Sequence, residues 1–158
     1  NLAFETRNIS MQIRLACEDD LEGITHLYAC LRPEDPKLDK IQATALFLNV
    51  IRSEVTSLFV AEVDGQLAST CMLALIPNFA SGGRHIGVIE HVITLPDHRG
   101  KGIAAKTIDA ALTFAWDKRC CKVFLLSGAT RTEAHRIYES LGFNGDVERG
   151  FVIKAPAP

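Results

Sequence analysis

Long apolar runs are missing from this chain. No stretch approaches the roughly 20 residues that a helix needs to cross a bilayer, so no membrane partner is expected. An excess of one charge is missing too. A net charge of -2 over 158 residues provides no polycationic surface for gripping nucleic acid, so no nucleic-acid partner is expected. The opening "NLAFETRNIS" has neither the basic region nor the apolar stretch of a secretory signal. Met11 then begins "MQIRLACEDD", and residues 1–10 are expected to be a leader or a flexible extension. Paired cysteine spacing is also absent. The five cysteines, Cys17, Cys30, Cys71, Cys120 and Cys121, are odd in number and contain no CxxC. That argues for reduced thiols, structural filler and a cytoplasmic protein. His26, His85, His98 and His135 are scattered without metal-ligand spacing, so no metal is expected. There is no internal repeat, low-complexity tract or linker. One domain over residues 11–154 with a frayed tail at 155–158 is therefore expected.

What is present is an ordinary globular mixture, 47% apolar and 23% charged, in a chain long enough to bury a core. "MQIRLA" alternates as a short strand. Leu21, Ile24, Leu27, Tyr28 and Leu31 recur at helical spacing, with Asp19 or Asp20 near the start. The two prolines of "RPEDPKLD" break the chain, and Asp39 is placed to cap a second helix carrying Ile41, Ala45, Leu48 and Ile51. "SLFVAEV" and "QLASTCMLALI" flank Asp64-Gly65, a hairpin signal. "NFASGGR" reads as a loop and "IGVIEHVITL" as a third long strand. A helix over Ile103–Lys118 would bury Ala104, Ile108, Ala111, Leu112 and Ala115. "KVFLLS" reads as a strand. Thr130 and Glu133 fit a capping box before a helix with Ala134, Ile137, Tyr138 and Leu141 inward and Gly142 at its end. "NG" and "GFVIK" suggest a terminal strand or hairpin. Hairpins first and a strand–helix–strand crossover later describe a mixed-sheet α/β domain.

The segment "TLPDHRGKGIAAKTIDAAL" places Arg99, Gly100, Lys101 and Gly102 where a strand hands over to a helix. A helix N-terminus has unpaired N–H groups and a partial positive charge, which suits an anion. Glycines let ligand oxygens approach the backbone, and the two cations add donors. A diphosphate cradle made by the amides of residues 99–105 is one reading; a tight turn with surface charges is the other. Gly100 to Ala105 also fits a loose dinucleotide fingerprint. However, the acid expected about 20 residues on is missing, because Ser127-Gly128 stands there. No Walker pattern is present.

Two segments together carry a resemblance. Arg99-x-x-Gly102-x-Ala104 resembles the Arg/Gln-x-x-Gly-x-Gly/Ala signature of the GNAT acetyltransferase superfamily. Ala134-x-x-x-Tyr138-x-x-x-Gly142-Phe143 resembles that family's later helix and its ending. The close resemblance covers about Gly87–Phe143. It departs at Arg131, where many members have an asparagine, and at Ala104, where glycine is more frequent. The resemblance implies an α/β fold with a mixed, mainly antiparallel central sheet flanked by about four helices. It also implies acetyl-CoA as cosubstrate. Arg99, Gly100, Lys101, Gly102, Ile103, Ala104 and Ala105 would grip its pyrophosphate. The backbone of Val92, Ile93 and Thr94 would hold its pantetheine arm, where the fourth strand splays from the fifth.

Acetyl transfer to an amine needs a base, because an ammonium with a pKa near 10 is no nucleophile. It also needs an oxyanion donor and a proton for the leaving thiolate. Glu90 sits inside an otherwise apolar strand, on the face expected for Val88, Val92 and Thr94. A base (directly or through water), an ammonium anchor and a structural acid are its three readings. His91 would point to the opposite face as a packed histidine. Tyr138 is the acid that the resemblance implies. A backbone N–H near Val92 or Ile93 would serve the oxyanion. The acceptor surface is expected from Leu27–Asp39, the second helix and the loop Pro77–Arg84. There Glu34, Asp35 and Asp39 would either favour a cationic amine or be ordinary solvated loop charges. The activity implied is direct ternary-complex transfer to a primary amine of a small molecule (amino sugar, amino acid or polyamine-like) or peptide, with a homodimer as the assembly. A non-catalytic acyl-CoA-binding sensor is the alternative on the same fold.

Overall fold

Asp64 and Gly65 both adopt left-handed backbone, at φ 49 and 81. This is the turn that a two-residue hairpin requires. It joins β2 (Thr56–Val63) to β3 (Gln66–Ile76). The computed structural model describes residues 10–157. The expected leader lies outside these residues, apart from Ser10. Ser10 exchanges hydrogen bonds with Asp64 across the same turn.

In chain order the remaining elements are β1 (Met11–Leu15), α1 (Leu21–Leu31), α2 (Lys40–Ile51), β4 (Ile86–Thr94), α3 (Ile103–Asp117), β5 (Lys122–Leu125) and α4 (Thr132–Ser140), with β2 and β3 between α2 and β4. The five strands form one sheet in the order β1-β2-β3-β4-β5. The first four are antiparallel and β5 joins β4 in parallel. The α/β fold with a mainly antiparallel sheet and four helices is as expected. Among the described residues no helix is long and apolar enough to cross a membrane.

Each face of the sheet buries its own core. Phe59, Cys71, Leu73, Leu75 and Ile89 pack under α3 and α4, against Ile108, Ala111, Leu112, Ala115 and Tyr138. Leu58, Val60 and Ile93 pack on the other face against Ile24 and Leu27 of α1 and Phe47 of α2. Each large side chain so buried contributes about 1.5–3 kcal/mol.

Local expectations fail where tertiary partners compete. On α2 the inward residues are Phe47, Val50 and Ile51, while Ile41 is 83% exposed and Ala45 is exposed too. Asp39 does cap that helix, accepting from the Gln42 N–H at 2.9 Å. Asp20 precedes α1, but its carboxylate is taken by Arg14 at 2.7 Å and by the Cys17 N–H at 2.7 Å, so it caps nothing in α1. On α3 Ala104 is only half-buried, and Ile103 and Thr107 join the inner face. Helix α4 starts at Thr132 without a side-chain cap. An extra turn, closed by the Arg131 N–H on the Gly128 carbonyl at 3.0 Å, puts the N-cap at Arg131 and leaves Thr130 one residue too early for the expected capping box. Residues 144–157 contain no strand. They run past β5, with Glu148 held by Lys122, while Phe151, Val152 and Ile153 stay exposed.

Candidate active site

Strand β4 changes face half-way along. Its ladder with β3 pairs Ile93 with Thr70 and then Glu90 with Met72, so Cys71 alone spans His91 and Val92. This is a β-bulge. His91 carries the strain, at φ 51 in the left-handed region, a conformation that costs a non-glycine residue about 1–2 kcal/mol. The extra residue reverses the alternation. Glu90 shares the face of Met72, which packs with the α1–α2 core, whereas Val92 packs with the α3–α4 core. The expectation that Glu90 and Val92 share a face is therefore wrong. His91 is not opposite Glu90 either: its ring packs on Tyr28 of α1, centroid to centroid 5.2 Å.

The pairing of β4 with β5 stops at Ile89 and Leu125, yet β4 runs on to Thr94 against β3. Residues 90–94 therefore have no strand on their β5 side among the described residues. Backbone groups along such an edge need partners. A ligand arm rich in amides supplies them in kind. Within this edge, Ile93 is buried on the α1 side. The Thr94 hydroxyl meets Ser69 Oγ at 2.9 Å.

The glycine loop follows. Gly100 and Gly102 have φ 71 and 75, where side chains are strained. A Cβ built on either would meet nothing within 4 Å, so the space above the backbone is open. Gly102 is the N-cap of α3 and no side chain caps that end. The first-turn N–H groups of Ile103, Ala104 and Ala105 are therefore orphans of the kind that bind anions. Arg99 is anchored through Nε to the Thr94 carbonyl at 3.1 Å, and Lys101 reaches the Asp97 carbonyl at 2.9 Å. Both cations thus flank the loop, and the residues fit a diphosphate.

Tyr138 enters from the α3–α4 side. It is 8% exposed and packs edge-on against Phe143. Burial pushes its pKa above the ordinary phenol value; the Arg131 charge and the nearby Ser127 hydroxyl pull the other way without reversing the shift. It therefore holds its proton at neutral pH. Glu90 is exposed on the α1 side. The two candidates stand on opposite faces of the sheet, next to the place where β4 and β5 part. Tyr28 lies beside Glu90's neighbour His91, and burial pushes its phenol up to about 12. Two of the acids expected to attract a cationic amine have structural work instead: Asp35 pairs with Arg32 at 2.6 Å and Asp39 caps α2. Among the described residues, no three His, Cys, Asp or Glu side chains gather to hold a metal.

Residues 21–143 match the Acetyltransferase (GNAT) family. The chain belongs to the GNAT acetyltransferase family. As a GNAT protein it is an acyltransferase with acetyl-CoA as cosubstrate, as its two sequence segments implied. It is 29% identical over 136 residues to a glucosamine 6-phosphate N-acetyltransferase of Trypanosoma brucei brucei, a match covering 85% of this chain and 90% of that one. A proposed acetyltransferase from Agrobacterium tumefaciens superposes with a TM-score of 0.86 at 34% identity, over 91% of this chain and 99% of that one. A Trypanosoma brucei acetyltransferase superposes at 0.80 with 28% identity, over 92% of this chain and all (100%) of that one. Within this GNAT frame the structure adds Tyr28, the strained His91 and Ser127 to the surroundings of the site. Tyr28 was visible in sequence only as part of a helix stripe. Nothing in "IEHVIT" marks the bulge, and Ser127 reads simply as the polar end of a strand.

Proposed function

We propose that this chain moves the acetyl group of acetyl-CoA to a primary amine of a small molecule, an amino sugar ahead of an amino acid, polyamine or peptide. Transfer is direct, in a ternary complex. The observation that carries the reading is the parting of β4 and β5 after Ile89 and Leu125, with a carboxylate on one face and a buried, protonated phenol on the other.

Acetyl-CoA supplies the activated acyl group. The amides of residues 99–105, with Arg99 and Lys101, hold its pyrophosphate, and the free edge at Val92, Ile93 and Thr94 takes its amide arm. Glu90 accepts a proton from the ammonium, directly or through a water. A backbone N–H near Val92 or Ile93 donates to the oxyanion, where such a fixed donor is worth roughly 2.7–4 kcal/mol. The nitrogen attacks the thioester carbon, the C–S bond breaks, Tyr138 gives its proton to the departing thiolate, and the nitrogen's second proton leaves to solvent as the amide forms. Direct transfer is supported by the two buried cysteines. Burial pushes the Cys71 thiol up to about 12 and raises that of Cys120 as well, so neither is a thiolate ready to carry an acyl group. The amino-sugar preference is supported by the trypanosomal relative's substrate.

The test is a panel of amino sugars and their phosphates, amino acids, polyamines and peptides incubated with acetyl-CoA, read as free thiol. Thiol release with an amino sugar above the other classes is expected. Binding of acetyl-CoA with no release on any amine would refute the reading and leave the sensor.

A further inference from the structure

Ser127 sits two residues beyond Leu125, the last β5 residue paired with β4, at the mouth of the split. Its Oγ is buried and has no hydrogen-bond partner among the described residues. A buried hydroxyl left unpartnered is costly, whereas an apolar side chain of similar size is not, so packing alone gives no reason for serine here. The segment around it is fixed. The Gly128 carbonyl accepts from the Arg131 N–H at 3.0 Å and lies 2.9 Å from His135 Nε2. His135 is therefore engaged with the backbone rather than with Ser127. Ser127 and Tyr138 line one cavity, and the serine hydroxyl is close enough to the phenol to favour its ionised form. The serine oxygen makes no completed hydrogen bond in this structure.

We propose that Ser127 is a positioning residue for Tyr138: its hydroxyl donates to the phenol oxygen, turns the phenol proton toward the leaving sulfur and steadies the phenolate once that proton is gone. The balance is simple. The Tyr138 O–H bond breaks and an S–H bond forms. Ser127 keeps its own proton throughout. The phenolate then regains a proton from solvent through the open side of the cavity. The inference rests on the reading of Tyr138 as the acid.

The experiment measures kcat and KM for acetyl-CoA, with the fastest amine of the panel at saturation, in Ser127→Ala, Ser127→Thr, Tyr138→Phe and the Ser127→Ala/Tyr138→Phe pair. Ser127→Ala should lower kcat about ten- to a hundredfold, the worth of one hydrogen bond to a charged group, with KM little changed. Ser127→Thr, which keeps the hydroxyl, should restore most of the rate. In the Tyr138→Phe background Ser127→Ala should do nothing more. The proposal is overturned if kcat is unchanged, if KM rises instead, or if the alanine still slows the Phe variant. If Tyr138→Phe alone turns over normally, the acid reading fails and takes this one with it. If Tyr138→Phe is slow and Ser127→Ala is not, only the present inference fails.

Discussion

Glu90 stands opposite Met72 in the β3–β4 ladder and so faces the α1–α2 side of the sheet, while Val92, only two residues on, packs toward α3 and α4. The bulge at His91 therefore puts the proposed base and the proposed acid on opposite faces of the sheet. If Glu90 is the base, Glu90→Gln lowers turnover by roughly 10² to 10⁴ and leaves acetyl-CoA affinity nearly unchanged, because the glycine loop and the free β4 edge are untouched. Steady-state rates paired with calorimetric binding check this. Full activity of the variant at neutral pH would leave Glu90 without a chemical role.

Tyr138→Phe keeps the ring that packs on Phe143 and removes one hydroxyl. Stability should fall by no more than about 0.5–1.5 kcal/mol, and turnover should fall far more. A thioester whose thiol has a low pKa should suffer less, since its thiolate leaves without help. Rates of wild type and variant on acetyl-CoA and on such a thioester separate the two effects. Equal slowing on both would make Tyr138 a packing residue.

Gly102→Asp places a side chain and a negative charge in the open space above the loop. Acetyl-CoA at a hundredfold excess over its Kd should stabilise the wild type by about 2.7 kcal/mol, and the variant should show no such shift in a thermal melt. An undiminished shift would remove the loop from the binding site.

Asp20 links β1 to the turn before α1. Burial pushes its pKa up, but hydrogen bonds from the Arg14 side chain and from Cys17 outweigh that and hold it below the usual carboxylate range. A depressed folded-state pKa stabilises the fold at every pH above the unfolded value of about 3.9, and this contribution disappears as pH falls through the folded value. Asp20→Asn should therefore cost about 2 kcal/mol at neutral pH, the worth of a hydrogen bond to a charged group. Urea midpoints of the two proteins should converge as pH drops below about 4. A gap that persists into acid would mean that the ion pair is not what Asp20 contributes.

The parts of the fold legible in sequence are those where one local requirement admits few residues. Asp64-Gly65 reads as a hairpin because both positions need left-handed backbone. Gly100 and Gly102 read as a turn into a helix start, and both take the left-handed backbone that glycine permits. The β4 bulge is not legible, because His91 is forced into a conformation that its own chemistry disfavours, and period-2 counting then puts Val92 on the wrong face. The inner face of α2 is misread because Ile41 and Phe47 are equally apolar, and only the sheet beneath selects Phe47. Thr130 and Glu133 have capping-box spacing, but the turn at Gly128–Arg131 moves the N-cap one residue past Thr130. Ser127 has no sequence signal at all; its significance lies in a buried oxygen beside a phenol.

The most direct test of the account is the initial rate of CoA thiol release with acetyl-CoA and the best amine of the panel varied together. Direct transfer in the β4–β5 split predicts almost no release without amine, saturation in both substrates and intersecting double-reciprocal lines. Release that does not depend on the amine, or parallel lines accompanied by acetylated protein, would contradict it.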